Sequence, residues 1–234
     1  MTVRALSHVE LYTKDKVPAV RHLVWNRGYG RMADSVEVDR SSVLLGRGEE
    51  RLIVTSGWAT RGFVLRYGEG IADIAVLCDD AAAIADAALT AGATVGYSLQ
   101  GDPVVTGIGD VVHTLRPFDR HDFGTPLTGR VWVPFDEPFE PGADDGKPSC
   151  FVLHLDPDVL ERYAEFCVDV LGFTRSAPVE VAAGGQAVPA FSVGGARGHV
   201  TFALVARGGE RPQWPDVLDN GHTALTGRGP ARRR

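Results

Sequence analysis

The chain has 234 residues, 44% hydrophobic and 23% charged, and its 24 basic against 30 acidic side chains leave a formal net charge of -6. These proportions are those of globular proteins and exclude a disordered, collagen-like or fibrous chain. The acidic balance excludes general binding along a nucleic-acid backbone, which rests on clustered Lys and Arg, and the length suits one large or two small domains.

Ser7-His8-Val9-Glu10-Leu11-Tyr12 alternates, which predicts a strand with Val9 and Leu11 on one face and His8, Glu10 and Tyr12 on the other. A helix is expected over Val17 to Trp25, with Pro18 tolerable in its first turn and Gly28 and Gly30 ending it. Ser35 to Val38, Ser42 to Leu45 and Arg51 to Thr55 read as a small antiparallel meander, so the order is β-α-β-β-β. That order recurs. Ile71 to Leu77 is a strand, Asp79-Asp80 caps a helix from Ala81 to Thr90, Gly92 ends it, and strands follow near Val95 to Leu99, Pro103 to Thr106 and Val111 to Arg116.

Between Pro117 and Pro148 only Arg130 to Val133 suggests a short strand, so this stretch reads as a connection, with Phe118, Phe123, Trp132, Phe135 and Phe139 expected to pack across two domains. A third copy follows: a strand at Phe151 to Leu155, a helix from Asp158 to Val170 ended by Gly172, and strands near Val179 to Val181, Ala190 to Val193 and Val200 to Val205. Leu160, Tyr163, Ala164, Cys167 and Leu171 share one face of that helix. His222-Thr223-Ala224-Leu225 reads as the first strand of a fourth copy. The expected fold class is α+β, built of repeated βαβββ modules: a two-module domain over 1–135, a linker over 136–148 and an incomplete C-terminal domain over 149–234.

No apolar run reaches the roughly 18 to 20 residues of a membrane span and no leader pattern opens the chain, so a cytoplasmic protein with no membrane partner is expected. Cys78, Cys150 and Cys167 are widely spaced, which predicts neither a disulfide framework nor a zinc knuckle. Gly28-Tyr29-Gly30 and Gly68-Glu69-Gly70 read as turns rather than phosphate cradles, no Gly-x-Ser-x-Gly elbow occurs, and Arg232 to Arg234 read as a solvated end.

Repeated modules of this order resemble the vicinal oxygen chelate superfamily, the glyoxalase/bleomycin resistance/dioxygenase type. Gly68-Glu69-Gly70-Ile71-Ala72-Asp73-Ile74-Ala75 and Gly107-Ile108-Gly109-Asp110-Val111-Val112-His113-Thr114-Leu115 look like the N-terminal domain of the 4-hydroxyphenylpyruvate dioxygenase/4-hydroxymandelate synthase family. Cys150-Phe151-Val152-Leu153-His154-Leu155, the stretch Tyr163 to Phe173 and Gly184-Gly185-Gln186-Ala187 are similar to the opening of its catalytic domain. The resemblance implies an iron(II) dioxygenase acting on a small aromatic 2-oxo acid, with two histidines and a carboxylate holding the metal and three positions left open.

Carried over, the second metal histidine falls on His222 and the first on Cys150, a thiol in place of an imidazole, while Gln186 falls on a substrate contact. His154 shares the face of Cys150 but lies roughly 13 Å further along the strand. None of the residues after Leu225 is Asp or Glu, so the expectation is a metal site that does not close within the chain. In simpler superfamily members a metal histidine stands at the place of His8, and Asp73 is read at the matching place of the second module. A His8, Asp73 and His113 site is therefore weighed against three structural side chains, and the structural reading is preferred. The alternatives to an oxidoreductase are a non-catalytic protein that binds a small aromatic molecule or another subunit, a second copy of the chain included, and a truncated gene product.

Overall fold

A computed structural model describes residues 3–108, 111–120, 128–136, 149–155, 157–175, 179–183, 186–194 and 200–206. The alternating segment at the start forms β1 (Val3–Thr13), followed by α1 (Lys16–Arg27). Asp15 caps that helix by accepting from the Val17 N–H at 2.9 Å, and Gly28 ends it at φ 70°, a left-handed conformation that costs a residue without Cβ nothing. β2 (Gly30–Val36), β3 (Arg40–Arg47) and β4 (Glu50–Gly57) complete the first module. A short α2 (Arg61–Tyr67) leads to β5 (Gly70–Cys78), α3 (Ala81–Thr90), β6 (Thr94–Tyr97), β7 (Pro103–Thr106) and β8 (His113–Pro117). After β9 (Val133–Pro134) come β10 (Ser149–Leu155), α4 (Pro157–Asp169), β11 (Thr174–Arg175), β12 (Val179–Ala183), β13 (Gln186–Gly194) and β14 (Val200–Ala206).

The three copies share one topology. In each, the first strand runs parallel to the last: β1 with β4, β5 with β8, β10 with β14. The other strands continue antiparallel from the last, giving a nine-stranded sheet in the order β6-β7-β8-β5-β1-β4-β3-β2-β9 and a five-stranded sheet with the path β10-β14-β13-β11, where β12 pairs with β13. β1 and β5, antiparallel neighbours, join the first two modules at the centre of the large sheet. This is the α+β fold of repeated βαβββ modules that the sequence pattern predicts.

The helices explain which faces are apolar. Ala19 and Leu23 of α1 lie in one core with Val9, Leu11, Leu52 and Val54, and Ile84, Ala85 and Ala88 of α3 join the same core with Ile74, Val76 and Cys78. Asp80 caps α3 by accepting from the Ala83 N–H at 2.9 Å. Asp80→Ala is therefore expected to cost about 1 kcal/mol in urea unfolding, the usual worth of such a cap. In the third module Leu160, Tyr163, Ala164 and Cys167 are buried together with Phe151, Leu153, Phe202 and Leu204. No helix among the described residues is long and apolar enough to cross a membrane.

Several details differ from the sequence reading, among them β2, which covers Gly30–Val36 instead of Ser35 to Val38. The helix α2 falls where no element is expected, β9 covers Val133–Pro134 instead of Arg130 to Val133, and β11 adds a short strand after Phe173. The described aromatics of the connection pack on the first module instead of between domains. Trp132 lies against Ala33, Leu44 and Ile53, Phe135 donates its N–H to the Met32 carbonyl beneath the Arg31 guanidinium, and Phe118 lies beneath Arg4. Phe123 and Phe139 lie outside the described residues.

Candidate functional site

Because side chains alternate along a strand, the face of the large sheet turned away from α1 and α3 receives His8, Glu10 and Tyr12 from β1, Ser42 from β3, Thr55 from β4, Asp73 from β5 and Thr114 from β8. Glu10 and Asp73 are direct partners across the β1/β5 pair. Each accepts from a threonine on the last strand of its own module. Thr55 donates to Glu10 Oε1 at 2.6 Å, and Thr114 donates its hydroxyl to Asp73 Oδ2 at 2.7 Å and its N–H to Oδ1 at 3.1 Å. The registers agree, since Glu10 faces Ile53 and Asp73 bridges Val112, with the threonine two residues further in both. Asp73 is thus the counterpart of Glu10, not of His8, a correction to the sequence alignment of the two modules.

The two carboxylates differ in their neutralising partner. Arg130, from the segment after β8, places Nη2 2.6 Å from Glu10 Oε1, and both side chains are nearly excluded from solvent, at 5% and 6% exposure. Burial, with the Glu10 charge adding to it, pushes the Asp73 carboxyl up to about 7, against the two Thr114 bonds. Burial, followed by the Arg116 and Arg130 charges, lowers His8 to about 3, so its ring is neutral beside the Ser7 hydroxyl at 3.2 Å.

These shifts set opposite pH dependences. A histidine that stays neutral in the folded chain contributes stability present above its unfolded value of 6.5 and lost as pH falls toward its folded value, because the unfolded chain binds the proton first. Asp73 does the reverse: its folded carboxyl holds a proton that the unfolded one releases near 3.8, so stability declines as pH rises from there through about 7. Asp73→Asn keeps both Thr114 contacts without an ionisable group. It is expected to gain about 1–3 kcal/mol over the parent between pH 5 and pH 8 in urea titrations, a range kept modest because Asp73 retains some solvent contact.

His113 faces the opposite way. It meets the third module, where Nε2 and the Tyr163 phenol share a hydrogen bond of 2.7 Å and the imidazole packs on Tyr163, Phe166 and Phe202 at ring-centroid distances of 5.7, 5.7 and 6.4 Å. Burial lowers it to about 4. His8, Asp73 and His113 are therefore not brought together, and among the described residues no group of three His, Cys, Asp or Glu side chains could hold a metal ion. Cys150 and His154 lie on β10 at Thr201 and Val205 of β14, Gln186 opens β13 opposite Ala183, and His222 lies outside the described residues. Cys78 and Cys167 are buried free thiols whose burial pushes them up, Cys78 to about 12. Sequence reasoning missed Arg130, Thr55 and Thr114. The signal for them was a polar face on β1 that needed donors.

A triple mutant of 4-hydroxymandelate synthase from Streptomyces coelicolor matches 87% of this chain at 28% sequence identity with a TM-score of 0.71. In fold and sequence the chain resembles the 4-hydroxyphenylpyruvate dioxygenase/4-hydroxymandelate synthase family. It spans 63% of that relative's length. A fusion of a xylose isomerase-like TIM barrel with a 4-hydroxyphenylpyruvate dioxygenase matches 88% of the chain at 13% identity with a TM-score of 0.68, over 32% of its own length, and shares the fold of the family. No protein-family model matches the chain.

Proposed function

We propose that the chain serves as a 4-hydroxyphenylpyruvate dioxygenase/4-hydroxymandelate synthase-like oxidoreductase of aromatic 2-oxo acid metabolism, acting in the cytoplasm on a small aromatic 2-oxo acid. The observation that carries this reading is a full third module joined to a two-module sheet, together with 28% identity to a 4-hydroxymandelate synthase over 87% of the chain. Residues 1–135 would be the N-terminal domain, 136–148 the linker and 149–234 the catalytic-type domain.

Bound iron(II) would supply oxygen activation to such a reaction. The described residues alone do not fit that metal, since they bring no three ligating side chains together. The proposed ligands are His222 and Cys150, with Gln186 as a substrate contact. A thiolate at Cys150 would be softer than imidazole and open to oxidation, which favours as a second reading a protein that binds the aromatic acid without turning it over.

Oxygen uptake by the anaerobically purified chain, after addition of iron(II) and 4-hydroxyphenylpyruvate, tests both. Iron-dependent uptake that disappears in His222→Ala supports the oxidoreductase. Uptake equal to buffer, with calorimetric binding of 4-hydroxyphenylpyruvate retained, overturns it in favour of the binding protein.

A further inference from the structure

The segment 128–136 is tied down at both ends of the nine-stranded sheet. Gly129 has φ +77° and lies so close to the β6–β7 connection that a Cβ there would stand 2.7 Å from Gln100 Nε2 and 3.2 Å from Leu99 side-chain atoms. Four residues on, Val133 and Pro134 pair with Asp34 and Ala33 of β2. In a flat sheet β6 and β2 would be about 34 Å apart, at about 4.8 Å per strand, whereas four extended residues reach at most about 14 Å. The sheet is therefore rolled, and the segment is a strap across its mouth.

Between the two anchors Arg130 turns inward. Its Nη2 donates to Glu10 Oε1 at 2.6 Å, its Nη1 reaches Ser42 Oγ at 3.2 Å and Thr55 Oγ1 at 3.3 Å, and its Nε lies 3.9 Å from Glu37 Oε2. We propose that the concave face of the first two modules is a guanidinium-binding site, built from Glu10, Ser42 and Thr55 and filled by the chain's own Arg130. The acceptors match a planar fork, with a carboxylate oxygen at one prong and two hydroxyls at the other; an ammonium has no second, rigidly spaced donor nitrogen to match both prongs. The strap supplies the ligand that closes the cup to other cations.

Chemical complementation in the full chain tests this. Arg130→Gly is expected to melt below the parent, and millimolar ethylguanidinium is expected to recover most of the lost Tm, while ethylammonium and urea at the same concentration recover none. The Glu10→Gln, Arg130→Gly double variant should not respond. An equal response in the parent or in the double variant, or no response in a folded Arg130→Gly chain, overturns the proposal. If Arg130→Gly does not fold, Glu10→Gln alone decides. Hydrogen exchange of the Phe135 amide, which is bonded to the Met32 carbonyl, should quicken about tenfold while the Thr114 amide keeps its rate. An unchanged Phe135 rate in that variant overturns the proposal as well. None of these readouts depends on turnover or on iron, so failure here leaves the oxidoreductase reading untouched.

Discussion

Arg130→Met is expected to lower the unfolding free energy by about 3–5 kcal/mol, among the largest losses available to a single substitution in this chain. The reason is what stays behind. Glu10 keeps its Thr55 bond but loses the Arg130 guanidinium that lies 2.6 Å from its carboxylate, at a position where solvent cannot replace it. Adding Glu10→Gln removes the stranded charge, so the double variant should regain most of that loss. Urea unfolding of the parent, both single variants and the double variant gives the coupling directly. If the two losses simply add, the pair does not act as a unit.

Tyr163→Ala is expected to cost about 3–5 kcal/mol by opening a cavity between the third module and β8. Tyr163 is fully buried, and its ring packs on both the imidazole of His113 and Phe166. Tyr163→Phe separates packing from hydrogen bonding: the ring remains, the His113 nitrogen loses its partner, and the expected cost falls to about 1–3 kcal/mol. The measurement is urea unfolding followed at once by far-ultraviolet and aromatic circular dichroism. If both substitutions leave the midpoint where it is, the contact between the modules carries no stability.

Much of this arrangement was legible in the residues. Period-two alternation at Ser7 to Tyr12 placed Val9 and Leu11 against a helix and left a polar face to be satisfied, and the Asp80 cap and the apolar stripe of α4 were both found where expected. The helix α2 was not, because seven residues carry no sustained period and Thr60 makes no side-chain cap bond. Arg130 was invisible for a different reason. Its role depends on a rolled sheet bringing β1 under a strap 120 residues away, and a local window holds no information at that separation. For His113, weighed as a ligand against a structural side chain with the latter preferred, strand alternation sets the side of the sheet opposite Asp73, where it is an aromatic contact. Cys150 and Gln186 lie on β10 and β13 just before the runs expected at Phe151 to Leu155 and Ala190 to Val193, and a role for either depends on groups that those runs do not specify.

The parallel pairing of first and last strands has a consequence for how the chain reaches this state. Val9 meets Leu52 only after α1, β2 and β3 have been laid down, and Ser149 meets Val200 only after α4 and three more strands. Loop-closure entropy is lost before such long-range contacts repay it, so the contact order is high and refolding from urea belongs in the millisecond-to-second range, not the microseconds of helical bundles. During synthesis each module's first strand waits, with that edge unsatisfied, for most of the module to emerge. Aggregation during that wait is then the expected limit on the yield of this chain at high expression.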